Sequence, residues 1–323
     1  MINVKKFIIQ DNEANQTLEK FVRKVLSNAP LSFVYKVFRK KDVKINGVRS
    51  NMKTKLKAGD CVEIYVSDEK MEDFKKVTPP PSNYLEQFII FEDENILVVD
   101  KPKGMLTQKD DINVLSLSEF AVSYFLFNNN VEDEFTFTIA PAHRLDRNTS
   151  GLIVFGKSVE VMQELLEAFK SHESVEKHYL TLVNGEVISN GEVKFSLIKD
   201  KEKKTVRVGS SNAGAKSAWT IYEPVERYKG FTLLDVRILT GRTHQIRAHM
   251  LAIGHPVVGD KKYGDFAANK IFKEQYDYEN QFLHAHKIIF HNLKGKLAYL
   301  NEKEFVSKLP KKESGLLRML QLY

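Results

Sequence analysis

The chain has 323 residues, of which 42% are apolar, and its 49 lysines and arginines outnumber its 42 aspartates and glutamates for a net charge of +7. This length exceeds what one hydrophobic core usually supports, so we predict one large domain and a smaller one. No apolar run is long enough to span a membrane, and the N-terminus lacks the apolar region and cleavage site of a signal peptide, so we expect a cytoplasmic protein without a membrane partner. The single cysteine, Cys61, excludes an internal disulfide, and its run CVEIYV favours a buried strand residue over a nucleophile.

The positive charge is concentrated in the first quarter of the chain. Residues 1–76 contain 17 lysines and arginines against 10 aspartates and glutamates, and between Lys20 and Lys57 twelve basic residues face one acid, Asp42. Mixed charges are typical of a solvated surface, whereas a cluster of one sign favours a phosphate-rich partner. We therefore predict that this segment binds nucleic acid. The alternatives are that it binds an acidic protein or that its charge serves only solubility. The candidate contacts are Lys20, Lys24, Lys36, Arg39, Lys40, Lys41, Lys44 and Arg49.

The same quarter shows a clear order of elements. Thr17 can cap a helix whose apolar residues recur at helical spacing as far as Leu26, and a second short helix follows from Ser32. The run DVKINGVRS predicts a hairpin turning at Asn46–Gly47, and AGDCVEIYV predicts a strand. Two helices, a small β unit and surface lysines, over about residues 14–67, resemble the small RNA-binding module first known from ribosomal protein S-four.

A proline-rich stretch separates this quarter from the rest. The charged run DEKMEDFKK is followed by Pro79, Pro80 and Pro81, which favour an extended, semi-rigid spacer. We assign residues 1–76 to a small S-four-like RNA-binding domain, 77–84 to the linker and 85–323 to the large domain.

The large domain is predicted to have an α+β fold with a mixed, mainly antiparallel sheet and flanking helices. Its short apolar runs lack the regular spacing of βαβ units, and tight turns such as Asn184–Gly185 favour antiparallel neighbours. Its first clear helix begins near Ser158, where apolar residues from Val161 to Phe169 form one stripe that is typical of a core face. Strands are predicted at residues 88–91, 96–99, 135–139, 152–155, 179–183, 205–208, 218–222, 231–239 and 287–290.

The stretch PAHRLDRNTSGLIVFGKS, residues 141–158, places one carboxylate, Asp146, between two guanidiniums, Arg144 and Arg147. The residues NTSG supply turn chemistry by themselves, so a structural loop does not need both arginines. The run GLIVFG is apolar on both faces and predicts a buried central strand. Asp146 therefore lies in a loop held by core strands, where a scaffold fixes an exposed side chain as catalysis requires.

The run HRLDRNTSGLIVFGKS resembles the central motif of the RluA-type RNA pseudouridine synthases, in the branch with an S-four-like N-terminal domain that modifies large-subunit ribosomal RNA. Further family motifs follow the same order: DKPKGM at 100–105, KHYLTLVNGEV at 177–187, LTGRTHQIRAHM at 239–250, GHPVVGDKKYG at 254–264 and FLHAH at 282–286. The resemblance spans nearly all of residues 85–290. One departure is Gln108, which stands where many members have histidine.

The resemblance implies an isomerase that detaches uracil from ribose and rejoins it through carbon, without a cofactor or a metal. Asp146 would act as the nucleophile or as a base at the ribose, and these two routes both remain open. Arg247 would be the cation beside it, Arg144 would fill the space left by the flipped nucleotide, and Tyr179 would pack on the target ring. Other candidate substrate or RNA contacts are His143, Arg147 and Arg242.

Four histidines raise the alternative of a zinc site. His244 and His249 are five residues apart, and His284 and His286 alternate along one strand, but no carboxylate or cysteine lies at a matching ligand spacing. We therefore expect no metal. The charged run KDKEKKTVR, residues 199–207, is interpreted as a solvated hairpin tip.

Two other classes of function remain open. A non-catalytic RNA-binding or ribosome-assembly factor would use only the basic domain, and the intact set of Asp146, Tyr179 and Arg247 disfavours it. A glycosidase would need two facing carboxylates, and no partner acid for Asp146 is evident. Transfer RNA remains the alternative to ribosomal RNA as the substrate, and we expect a monomer.

Overall fold

The computed structural model describes residues 3–74, 80–109, 115–129, 139–171, 173–200, 202, 205–209 and 214–321. None of the helices in these segments has the length and apolar composition that crossing a membrane requires. The helices are α1 (Leu18–Val25), α2 (Leu31–Arg39), α3 (Asp68–Phe74), α4 (Leu117–Asn129), α5 (Val159–Lys170), α6 (Gln245–Ala252), α7 (Phe266–Tyr276) and α8 (Lys311–Gln321). The strands are β1 (Asn3–Ile8), β2 (Val43–Ile45), β3 (Val48–Arg49), β4 (Cys61–Val66), β5 (Ile89–Glu92), β6 (Ile96–Lys101), β7 (Ala140–Pro141), β8 (Ser150–Gly156), β9 (Val175–Asn184), β10 (Gly191–Val193), β11 (Leu197–Asp200), β12 (Thr205–Val208), β13 (Thr220–Tyr228), β14 (Phe231–Ile238), β15 (Leu283–Phe290) and β16 (Glu304–Val306).

The N-terminal quarter forms an antiparallel sheet in the order β1-β4-β2-β3, and α1 and α2 share one hydrophobic core with it. The predicted elements are confirmed: the Thr17 side chain caps α1 by accepting from the Lys20 N–H, and the hairpin turns at Asn46–Gly47. Cys61 begins a strand as predicted but is half-buried. The strand β1 was missed because most of its side chains are exposed, so its sequence carries no buried alternating face.

The large domain is built on one long sheet, in the order β10-β13-β14-β9-β15-β8-β6-β5, with β7 and β16 paired beside β8 and β15. Among the described pairings, β8 with β15 is parallel and the others are antiparallel, which confirms a mixed, mainly antiparallel sheet. All seven residues of β8 are buried, as predicted for GLIVFG. Separate hydrophobic clusters contain side chains from alternate positions of β6 and β8, so both faces of these strands are covered.

Two expectations for this domain were wrong. The first α-helix after the linker is α4, which precedes the helix capped by Ser158. The apolar residues of α4 are spread around the helix among polar ones and therefore form no single stripe. The turn at Asn184–Gly185 does not join paired neighbours, because β9 pairs with β14 and β15 while β10 pairs with β13. The predicted strand at 135–139, the hairpin tip at 199–207 and the linker fall partly outside the described residues.

Gly151 allows β8 and β15 to approach each other just after the Asp146 loop. Its φ is +112°, and a Cβ built on it would lie 2.2 Å from the carbonyl oxygen of Ala285. We predict that Gly151→Ala lowers the free energy of unfolding by about 2 kcal/mol or more, since the backbone must shift and the conformation is strained for alanine. Chemical denaturation measures this change.

The matched control is Gly315→Ala in α8, where a Cβ meets nothing within 4 Å. This variant should be more stable by roughly 0.5–1 kcal/mol, because alanine is a better helix former than glycine. Equal stabilities for the two variants would contradict the close-approach explanation of Gly151.

Candidate active site

The Asp146 loop is anchored to the segment that follows β6. The Nζ of Lys101 donates to the carbonyl oxygens of Pro102, Met105 and Arg147 at 3.1, 2.9 and 3.2 Å. Lys101 is fully buried, and burial lowers the pKa of its ammonium to about 7, although the nearby Asp146 carboxylate opposes the shift. The motif DKPKGM therefore fixes the backbone beside the candidate catalytic residue.

A second anchor holds the other side of the loop. The Thr107 hydroxyl donates to the Leu145 carbonyl and accepts from the Leu145 N–H, at 3.0 and 3.1 Å. The Arg147 side chain is exposed and its Nε donates to the Gly104 carbonyl at 3.2 Å. Gln108, the departure from the family motif, is exposed. The loop geometry is thus set by contacts on both sides of Asp146.

Arg247 is the direct partner of Asp146. It lies in α6, its side chain is 6% exposed, and its Nη1 donates to Asp146 Oδ2 at 2.8 Å. The Asp146 side chain is 26% exposed and reaches the cavity beside this helix. A guanidinium at this distance stabilises the negative charge of a carboxylate in a poorly hydrated place.

Asp260 is a second carboxylate on Arg247, which the sequence reasoning missed. Its oxygens accept from Arg247 Nε at 2.6 Å and Nη2 at 2.9 Å, and it is fully buried. The backbone N–H groups of Lys262 and Tyr263 also donate to it. Burial opposes the charge of Arg247, but Asp260 and then Asp146 outweigh that effect and raise the pKa of the guanidinium. The sequence feature that could have pointed to Asp260 is its position within the family motif GHPVVGDKKYG.

His244 is the last residue before α6 and faces Asp146. Its φ of 52° is uncommon for a residue with a side chain, and its Nε2 is 3.8 Å from Asp146 Oδ2. The Val206 N–H donates to the Tyr263 hydroxyl oxygen at 2.6 Å, and the same hydroxyl forms a hydrogen bond with His244 Nδ1 at 2.9 Å. Burial lowers the pKa of His244, although Asp146 opposes the shift.

Asp146, His244 and Arg247 line a cavity of about 500 Å³. Of the residues predicted from the sequence, the cavity is lined by His143, Arg144, Asp146, Tyr179, Arg242 and Arg247, whereas Arg147 lies outside the lining. Among the described lining residues, Asp146 is the only carboxylate, and the cations are Arg144, Lys170, Lys177, Arg242 and Arg247. The cavity therefore combines one negative charge with a cationic wall, which suits a nucleotide.

Arg144, Arg242 and His143, which also line the cavity, differ in their exposure and in their hydrogen bonds. Arg144 is exposed at the opening, and Arg242 is exposed with its Nε donating to the Ser217 carbonyl at 2.9 Å. His143 stacks on Phe169, its Nε2 accepts the Val154 N–H, and burial lowers its pKa to about 3. The imidazole of His143 is thus neutral and holds the β8 backbone as well as facing the cavity.

Tyr179 lies on β9 and is almost completely buried. Burial, and to a smaller degree Asp146, raise the pKa of its phenol, so the hydroxyl stays neutral at ordinary pH. Its ring is a flat apolar surface beside the carboxylate, of the kind on which a base can stack.

A group that could bind a metal lies elsewhere in the described part of the chain. His178, Asp235 and His286 come from three adjacent strands, and their ligand atoms lie within 4.8 Å of one another. His178 and Tyr179 are consecutive on β9, so this cluster is on the sheet face opposite the cavity. No sequence spacing could reveal it, since Asp235 is 57 residues from His178 and 51 from His286. Two of the histidines considered above for a zinc site have other partners. His284 is hydrogen-bonded to Ser150 and Ser307, and His249 is hydrogen-bonded to Thr220 and Phe195.

The predicted basic contacts of the N-terminal quarter are mostly on its surface. Lys20, Lys36, Arg39, Lys40, Lys41 and Arg49 are exposed. Lys44 is half-buried and its Nζ donates to the Tyr65 hydroxyl at 3.1 Å. Lys24 is also half-buried, and burial lowers its pKa.

Comparison with known proteins agrees with this geometry. Residues 95–252 match the family described as RNA pseudouridylate synthase. The chain is 32% identical over 313 residues to an uncharacterised RNA pseudouridine synthase of Mycoplasma capricolum, covering 93% of this chain and 96% of that protein. This chain belongs to the RluA-type RNA pseudouridine synthases. The synthase is therefore an isomerase that acts on RNA.

Other relatives extend the likeness. The synthase is 32% identical over 295 residues to the ribosomal large subunit pseudouridine synthase C of Haemophilus ducreyi, which covers 90% of this chain and 89% of that protein. The fold resembles that of the solved human RNA pseudouridylate synthase domain containing 4, with a TM-score of 0.60 at 22% identity, over 73% of this chain and 94% of that one.

Proposed function

We propose that this synthase converts specific uridines of large-subunit ribosomal RNA to pseudouridine, with Asp146 as the catalytic carboxylate. The observation that carries the proposal is the position of Asp146: it is the only carboxylate among the described lining residues of the cavity and is ion-paired to Arg247. Relatives named as large-subunit synthases support ribosomal RNA over transfer RNA.

The reaction needs a negatively charged carboxylate at the reacting nucleotide. Asp146 then attacks the sugar or the base, or removes a proton from the ribose, and both routes start from the ionised form. Arg247 stabilises that form at 2.8 Å, and Asp260 keeps the guanidinium in place from the other side. The bond from uracil N1 to C1′ of the ribose breaks, and after uracil turns its C5 bonds to C1′. The C5 hydrogen leaves as a proton and N1 gains a proton, so the product is an isomer of uridine.

The target base must leave its stack before the ribose can reach Asp146. Extraction costs a few kcal/mol, which contacts to the flipped nucleotide must offset. In this proposal Arg144, which is exposed in the cavity lining, occupies the vacated position, and the ring of Tyr179, which also lines the cavity, stacks on uracil. His143, Arg242 and the exposed Arg147 are the further contacts in this proposal.

Docking to the RNA is assigned to residues 1–76, with 77–84 as a linker and 85–323 as the catalytic domain. The exposed cations on α1, α2 and the β2–β3 hairpin support an S-four-like RNA-binding role. This part has its own sheet and its own hydrophobic core, so it can present those cations on a fixed surface.

The test is an assay with the full chain and unmodified transcripts that carry tritium at C5 of uridine. Release of tritium from the large-subunit transcript, with little from a transfer-RNA pool, is expected. Mapping pseudouridines in cells with and without the protein then identifies the positions. Release from transfer RNA alone would overturn the substrate, and release from neither RNA would overturn the reaction.

The docking role predicts a specific change in salt dependence. Changing the exposed Lys36, Arg39, Lys40 and Lys41 to glutamine should weaken binding of the large-subunit transcript and flatten the slope of log affinity against log salt. Each lost phosphate contact reduces the slope by about 0.7–0.9, so the loss of all four contacts should reduce it by about 2.8–3.6. Filter binding over a range of salt concentrations measures it.

The matched control changes four exposed lysines of the large domain to glutamine. An unchanged slope is expected for this set, although it alters the net charge equally. The same loss of slope in both sets would show that only total charge matters and would contradict a docking surface on residues 1–76. The control residues are Lys270, Lys273, Lys296 and Lys312.

A further inference from the structure

Lys177 is a buried cation on the wall of the cavity. It is 7% exposed and lies on β9 two residues before Tyr179, so both side chains are on the cavity face of the sheet. Among the described residues no carboxylate pairs with it, and the contact of its Nζ is the ring of Phe169, with the centroid 5.9 Å away.

An ammonium in this position is unfavourable unless an anion joins it. Transferring an unpaired charge from water to a protein interior is unfavourable, and buried charges in proteins are ordinarily paired. Asp146, the carboxylate of the cavity lining, is already paired with Arg247. Lys170 at the end of α5 is exposed and adds a second cation to the same wall. This part of the cavity therefore has positive charge without a counter-ion from the described chain.

We propose that Lys177 binds a phosphodiester oxygen of the RNA chain next to the target nucleotide. The inference rests on the proposed function, since the same cavity must hold that nucleotide. A lysine is a compact charge with three donors, which suits a phosphate oxygen, and phosphate contacts are what position a nucleic acid on a protein. The phosphate would lie beside the rings of His143 and Phe169, which exclude water and strengthen the contact.

Two properties should then change in opposite directions in Lys177→Met. The free protein should be at least as stable as the wild type, because methionine fills similar space without a buried charge. Affinity for a uridine trinucleotide with two phosphodiester links should fall roughly 10- to 100-fold, as for loss of a hydrogen bond to a charged group. Lys177→Arg keeps the charge and should stay within a few-fold of the wild type.

The experiment uses the full chain and two probes, the trinucleotide and its methylphosphonate analogue, whose links are uncharged. Unfolding free energies and dissociation constants are measured for the wild type, both Lys177 variants and the control Lys296→Met, an exposed lysine paired with Glu160. Lys177→Met should lose affinity for the charged probe and hardly change for the neutral one, and the control should match the wild type for both.

Equal losses for the two probes would place the contact on the base or sugar and overturn the phosphate assignment, as would an unchanged affinity for the charged probe. A clear loss of stability in Lys177→Met, restored by Lys177→Arg, would assign the lysine to the fold instead. Neither the free energy of unfolding nor the dissociation constant depends on isomerisation. The role of Lys177 can therefore be tested even if the protein is inactive on ribosomal RNA. If the synthase is active on ribosomal RNA but Lys177→Met keeps its affinity for the charged probe, only the role of Lys177 is overturned and the proposed function stands.

Discussion

Asp146→Asn should reduce tritium release from C5-labelled uridine by about 10³-fold or more, because asparagine can neither attack as an anion nor accept a proton. The amide keeps the shape of the carboxylate. Arg247 stays in place through its two hydrogen bonds to Asp260. RNA affinity and the free energy of unfolding should therefore change little.

Two measurements complete this test. Binding of the large-subunit transcript by the variant should remain within a few-fold of the wild type, which separates loss of chemistry from loss of docking. Asp146→Glu serves as the matched control, since it keeps the charge and displaces it, and some activity should return. Release at the wild-type rate from Asp146→Asn would remove Asp146 from the reaction.

Arg247→Met should be both much less active near neutral pH and markedly less stable. The substitution leaves two carboxylates without their cation: the fully buried Asp260, and Asp146, whose side chain is 26% exposed. Removing one member of a buried ion pair costs roughly 3–5 kcal/mol. Most of that cost should come from Asp260, because water still reaches Asp146. Turnover should fall by roughly 10²–10³-fold, as when a fixed charge-stabilising group is lost.

Double variants separate the two carboxylates. In Arg247→Met with Asp260→Asn, much of the lost stability should return while activity does not, since the buried charge is gone but Asp146 still lacks its partner. In Arg247→Met with Asp146→Asn, stability should recover little. Urea unfolding of the singles and doubles gives the coupling energies. Strict additivity in both pairs, or normal turnover by Arg247→Met, would show that Arg247 does not link the two acids.

Much of the local structure was predictable because its signals act within a few residues. Thr17 and Ser158 begin helices as their positions predicted, since a cap bonds to N–H groups in the first turn. The uniform apolar run 151–156 forms a buried strand as predicted. In contrast, α4 was missed because its apolar residues are spread around the helix and form no stripe at helical spacing.

The candidate site likewise has features that the sequence predicts and features that only the structure shows. The motif around Asp146 and its likeness to the family were readable in the sequence, and so was a loop held between core strands. Asp260 as the second partner of Arg247, and Lys101 beneath the loop at a separation of 46 residues, came only from the structure. Sequence by itself thus determined the caps, the hairpin turn, the central strand and the motif around Asp146, because neighbouring residues decide those features. Tertiary structure alone decided the strand order, the counter-charges of Arg247 and the isolation of Lys177, because pairing between distant strands sets which charges meet once water is excluded.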